Sequence, residues 1–128
     1  MVRISVQEKT AVESKEGDIV KKVAYIITRS GTQQLIQGCL LTTIANGRHG
    51  AKVLAMHFAE DAVYYLVKGT ATADKIEKAI KKRGVKVIAC ECSAETRQVQ
   101  DKFIDGVEIG HFATFYEAAD KADHIIAL

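Results

Sequence analysis

Cys90 closes the apolar run VKVIAC and is followed at once by Glu91, Cys92 and Ser93. The run reads as a buried strand, and the stretch SAETRQVQ after it reads as a helix with Ser93 as its N-cap. A thiol at such a junction lies near the free N–H groups and the positive dipole end of the helix. That setting favours the nucleophilic thiolate. Arg97, about one helical turn further on, adds positive charge suited to an anionic substrate. The N–H groups of Ser93 and Ala94 offer the same service. Against this stands a plainer reading, since cysteine is among the most buried residue types and Cys90 fits equally as a small core residue ending a strand.

Cys92 follows two residues later and reads as a second or resolving thiol, or as a residue of the helix start. A structural zinc site needs four ligands, usually from two paired clusters, and neither His57 nor His111 has ligand spacing to the Cys90/Cys92 pair. No metal is expected. Cys39 falls on an expected apolar helix stripe with Leu35 and Ile36, so core packing is its expected role. His57 ends a second apolar run and suits acid/base work or a hydrogen-bonded structural role. His111 follows Gly110 in an expected loop. Neither histidine has a Ser or Asp partner at a spacing that suggests a triad. No GxGxxG or GxxxxGK[ST] motif is present, so nucleotide cofactors have no support.

The elements that must position these residues alternate along the chain. VKKVAYIITRS ends in a strand-like run. Ser30 and Gln33 then have capping-box spacing, with Gly31 and Thr32 in the turn. A helix follows through Leu35, Ile36, Cys39, Leu40 and Thr43, ending at Asn46-Gly47. AKVLAMHFA is the second strand, and DAVYYLVKG is ambiguous between helix and strand. ATADKIEKAIKKRG is an amphipathic helix stopped by Gly84. FIDGVEIGHF reads as a loop or short strand, ATFYEAADKA as a helix and DHIIAL as a last strand. Strands separated by helices predict an α/β fold with a largely parallel sheet and helices on both faces. In such sheets ligands bind beyond the carboxyl ends of the strands. Ser30-Gly31-Thr32, His57 to Asp61, and Cys90 to Cys92 all end there, which makes Ser30, Gly31, Thr32, His57 and His111 candidate pocket residues. Residues 1–19 differ: Val2, Ile4 and Val6 alternate with polar residues, and SKEGD is a turn. They read as a strand or hairpin appended to a core over residues 20–128.

The 128 residues suit a single domain able to bury a core without staples. A net charge of +2 does not argue for nucleic acid or a membrane surface. The longest apolar runs are strand-length, and MVRISVQEKT lacks a signal-peptide core, so a cytoplasmic protein is expected. Three cysteines, an odd number, argue against a disulfide framework.

The segment GVKVIACECSAETRQV resembles the cysteine segment of the DsrE/TusD family of sulfur-relay proteins. MHFAEDAVYYLVKG is similar to that family's stretch after its second strand, and GVEIGHFATFYEAADKADHIIAL to its ending. The resemblance spans roughly residues 20–128 and matches Cys90 to the family cysteine and Arg97 to its arginine. It implies a three-layer α/β/α domain with a five-stranded, mostly parallel sheet, assembled as trimers or hexamers. It implies a persulfide carried on Cys90 and passed between donor and acceptor proteins, or taken from thiosulfate, without a cofactor. The appended N-terminal segment and the extra thiol Cys92 depart from the family pattern.

Sulfur transfer or carriage through Cys90 is therefore the leading expectation. A non-catalytic assembly or regulatory subunit is the second. A dithiol redox protein using Cys90 and Cys92 is the third.

Overall fold

The computed structural model describes residues 20–128. The strand or hairpin expected over residues 1–19 lies outside the described residues. Five strands form one sheet: β1 (Lys22–Ile27), β2 (Lys52–Phe58), β3 (Lys86–Cys90), β4 (Val107–Gly110) and β5 (His124–Ala127). Their order is β4-β3-β2-β1-β5, and every pair is parallel. Parallel neighbours need a crossover, and a helical segment supplies each one.

The crossover from β1 to β2 is one helix, α1, in two parts: a π-helical run, Leu35–Leu40, continues as an α-helical turn, Leu41–Ala45. A 3₁₀ segment, Glu60–Leu66, and helix α2, Ala71–Arg83, join β2 to β3. The short helix α3, Glu91–Thr96, leads towards β4, and α4, Phe112–Ala118, leads to β5. Helix α2 is built as its sequence predicts. The Thr70 hydroxyl accepts from the Ala73 N–H at its start, and Gly84 closes it at φ 69°, a left-handed conformation that glycine adopts without a Cβ clash. The ambiguous stretch DAVYYLV resolves as the 3₁₀ segment, and only Val67 makes a sheet-like bridge, to Phe103.

Strand alternation divides the core into two layers. One face of the sheet buries Tyr25, Ile27, Met56, Phe58, Val87 and Ala89 against α1 and α2. The other face presents Ala24, Ala55 and Ile88 to Phe115 of α4 and to Ala119 just after it. The result is the expected α/β/α layering, with α4 as a thin second layer of seven residues.

The π-helical run corrects the expectation for Cys39. Ile36 and Leu41, one π turn apart, are the buried residues here. A stripe spaced at α-helical period puts Leu35 and Cys39 inward, whereas the wider turn leaves both exposed. The expected Ser30–Gln33 capping box also gives way to other bonds. The Thr32 carbonyl accepts from Ile36 N–H, the Thr32 hydroxyl donates to the Arg29 carbonyl at 3.1 Å, and the Ser30 carbonyl accepts from the Tyr65 hydroxyl at 2.6 Å.

Among the described residues, no helix is long and apolar enough to cross a membrane, and no group of three or more His, Cys, Asp or Glu converges to hold a metal ion.

Candidate functional site

Because all five strands run the same way, their carboxyl ends share one edge of the sheet. Cys90 is the last residue of β3 and is paired in register with Gly110, the last residue of β4. It is partly exposed and its thiol is free. Its backbone at φ −64° and ψ 123° is still extended, so it serves as the N-cap of α3. The helix thus starts at Glu91, earlier than Ser93, where the sequence placed the cap. Cysteine offers no strong cap acceptor, and no side-chain cap bond forms.

Ser93 and Ala94 sit on the inner side of α3. The Ser93 hydroxyl accepts from the Glu60 N–H at 2.8 Å. Ala94 is fully buried with Val63 and Val99. Both side chains join α3 to the 3₁₀ segment. Glu60 reaches Ser93 from a left-handed backbone, φ 52°, which a residue with a Cβ adopts only at some cost. Arg97 is likewise engaged. Its Nε and Nη2 donate to Asp61 Oδ1 at 3.1 and 3.0 Å, its Nη1 donates to the Ser93 carbonyl at 3.3 Å, and Glu60 Oε1 lies 3.5 Å from Nη2. Its charge is met by two carboxylates of the loop after β2.

Other candidate residues lie on the remaining flanks of Cys90. Glu91, next in sequence, holds His111: the Glu91 Oε1 to His111 Nε2 distance is 2.7 Å. This pair ties the start of α3 to the end of β4. Gly110 makes the approach possible, because a Cβ there would lie 2.6 Å from Thr114 Oγ1. With that space free, α4 folds back sharply, and the His111 N–H donates to the Thr114 hydroxyl oxygen at 3.3 Å.

On the side of β2, His57 is fully buried. It lies opposite Ile88 in register, so alternation puts Cys90, two residues beyond Ile88, on the same sheet face. The His57 ring packs against Phe112 and Phe115 of α4, with centroids 4.7 and 5.5 Å away. Burial pushes the pKa of His57 below its ordinary value. Ser30, Gly31 and Thr32 occupy the same edge but follow β1, one strand beyond β2, so they are not brought beside Cys90. Cys92 is exposed on α3. The sequence pointed to His57 and His111 singly. It missed Glu91 and Phe112, whose only signal is that each directly follows a strand-end candidate, Cys90 or His111.

Cys90 lines neither of two cavities elsewhere in the fold. One, of about 120 Å³, is lined by His49, Lys52, Val53, Arg83 and Val85 at the amino ends of β2 and β3. The other opens between α1 and α2, beside Gln33, Gln37 and Lys75.

The parallel five-stranded α/β/α layout, with a cysteine at the β3 edge, defines a class, and the comparison with known proteins defines it further. Residues 21–128 match the model of the DsrE/DsrF-like family, and the chain belongs to that family. Solved structures share the fold. The ychN protein from E. coli superposes with a TM-score of 0.62 at 18% identity, covering 86% of this chain and 100% of that one. MTH1491 from Methanobacterium thermoautotrophicum, a protein of unknown function, gives a TM-score of 0.63 at 12% identity, covering 83% of this chain and 98% of that one. No curated protein matches the sequence.

Proposed function

We propose that this protein carries sulfur as a persulfide on Cys90 and passes it to an acceptor thiol, on a partner protein or a small molecule. The observation that carries this reading is the place of Cys90: a free, partly exposed thiol at the carboxyl end of β3 and the N-cap of α3, in a chain of the DsrE/DsrF-like family. The thiolate attacks the outer sulfur of thiosulfate or of a donor persulfide. The S–S bond of the donor breaks, sulfite or the donor thiolate leaves, and Cys90 holds the transferred sulfur. A second thiolate then takes it by the same exchange. No cofactor is required. Because Arg97 is met by Asp61 and Glu60, its part is to hold the loop after β2, and donor anions meet the site at the open edge beside Cys90.

Assembly belongs to the same reading. Ile109, Tyr116, Ile125 and Ile126 are exposed on β4, α4 and β5, and apolar surface of this kind favours burial against other copies of the chain. A homotrimer or homohexamer fits, in a reducing cytoplasm that keeps all three thiols free.

The test is to treat the native protein with thiosulfate or a low-molecular-weight persulfide and to measure its intact mass. The protein gains one sulfur on Cys90, and reductant removes it. An unmodified Cys90 after treatment, with intact oligomers, favours a non-catalytic assembly subunit instead. A reversible Cys90–Cys92 disulfide without sulfur gain favours the dithiol reading.

A further inference from the structure

Among the buried polar side chains, His57 stands apart because neither of its ring nitrogens has a hydrogen-bond partner. Buried polar atoms are nearly always paired, and leaving them unpaired costs free energy. The ring is shut in by hydrocarbon. Phe112 and Phe115 cover it from α4, and Ile26 and Ile88 flank it in register on β1 and β3. An all-apolar site is filled more cheaply by a hydrocarbon side chain of similar size. A histidine here therefore points to a role for its nitrogens outside the resting structure.

The groups able to exchange a proton with that ring are few. On β3 the next inward position after Ile88 is Cys90, on the same face and at the open edge. On α4 the ring meets Phe112 and Phe115, with Tyr116 one ring further and Ala118 in the same layer. β1 contributes Ile26. Glu91 and His111, at the strand ends, already pair with each other. Cover over the ring is thin, because Phe112 is the first residue of α4 and 45% exposed. Catalytic hydrogen bonds are often unformed before substrate arrives.

We propose that His57 is the proton acceptor for the Cys90 thiol, uncovered by displacement of Phe112. The inference rests on the sulfur-carrying role of Cys90. The Cys90 S–H proton moves to a His57 ring nitrogen, and the electron pair stays on sulfur. The thiolate attacks the outer sulfur of a donor persulfide, R–S–SH, and the donor S–S bond breaks. The leaving thiolate, R–S⁻, takes the proton back from the imidazolium, so that Cys90–SH and R–S–SH become Cys90–S–SH and R–SH. Burial keeps the resting ring neutral, with a lone pair available. An imidazolium in this apolar layer is tolerable only beside the thiolate that compensates it, which couples the two ionisations.

The test uses the full chain. Alkylation of Cys90 by iodoacetamide is followed by peptide mass mapping, in wild type and in His57→Gln, across a pH series. At neutral pH the rate in His57→Gln falls on the order of a hundredfold, within the range for removal of a general base, and its pH profile differs from that of wild type. Persulfide loading slows in parallel. Equal alkylation rates and profiles in the two proteins overturn the inference. A wild type that never gains sulfur refutes the carrier role, while the alkylation comparison still decides whether His57 serves Cys90. If His57→Gln does not fold, His57→Leu, which fills the apolar site with hydrocarbon, decides the matter in folded protein. A Cys90 alkylation rate and pH profile equal to those of wild type in that variant overturn the inference.

Discussion

The guanidinium of Arg97 grips a single carboxylate oxygen of Asp61, with Nε at 3.1 Å and Nη2 at 3.0 Å. The contact links the end of α3 to the 3₁₀ segment after β2, and so links the chain segments on either side of the Cys90 edge. The Arg97 side chain is 20% exposed and that of Asp61 57%, so solvent screens much of the attraction. Arg97→Gln lowers stability by about 1 kcal/mol, a value set by that screening. Denaturant unfolding measures it. Because the charge is already met by Asp61 and Glu60, the thiosulfate concentration needed for half-maximal loading of Cys90 changes little. A large rise in that concentration with unchanged stability assigns Arg97 to the donor instead.

Two histidines make the fold sensitive to acid. His57 is buried among aromatic rings, and His49 is held between the Tyr25 hydroxyl at 2.7 Å and the Thr43 hydroxyl at 2.8 Å. Burial lowers both pKa values from the ordinary 6.5. The unfolded chain therefore takes up protons at these positions before the folded chain does. Their contribution is whole above 6.5, erodes as pH falls below that value, and is gone once pH passes the lowered folded values. The urea midpoint drops between about pH 8 and about pH 5.5, and His49→Gln reduces the drop. A midpoint that stays level or rises over that interval contradicts this.

Gly110 is required by space. A methyl group there would sit 2.6 Å from Thr114 Oγ1 and 2.9 Å from its Cβ. Gly110→Ala pushes α4 off the end of β4 and costs about 1–3 kcal/mol, the usual range for overpacking. Thr114→Ala removes part of the obstruction, so the double variant loses less than the sum of the two single changes. Strict additivity in denaturant unfolding shows that the two residues do not press on each other.

Cys39 tests the π-helical turn. With Ile36 and Leu41 inward and Cys39 exposed, a thiol reagent modifies Cys39 in the native protein without prior unfolding. Protection of Cys39 until global unfolding restores the regular α-helical register for this segment.

The elements and their order were legible wherever local signals agree. The apolar run VKVIAC forms β3, and Gly84 stops α2 as its type predicts. Where the sequence misleads, the cause is a departure from regular period or a contact made across the sheet. The π turn shifts the phase of α1 and turns Cys39 outward. Ser93 loses the cap position because β3 runs directly into α3 at Cys90, and Glu60, distant in sequence, takes its hydroxyl. The pairing of Glu91 with His111 depends on β3 and β4 ending in register, and no local pattern encodes that. His57 reads from sequence as a strand-end histidine for acid/base work or a structural hydrogen bond, yet neither nitrogen is bonded, because Phe112 and Phe115 fold back over the ring where Gly110 permits α4 to turn so early. Cys90 itself was legible from its position at the end of a strand, but its neighbours emerge only from the register of three strands.

The measurement that bears most directly on Cys90 is the intact mass of native protein after exposure to thiosulfate or a small persulfide, for wild type and Cys90→Ser in parallel. Wild type gains one sulfur that reductant removes, and peptide mapping locates it on Cys90. Cys90→Ser, folded and assembled as wild type, gains none. Equal loading of the two proteins contradicts the assignment of sulfur carriage to Cys90.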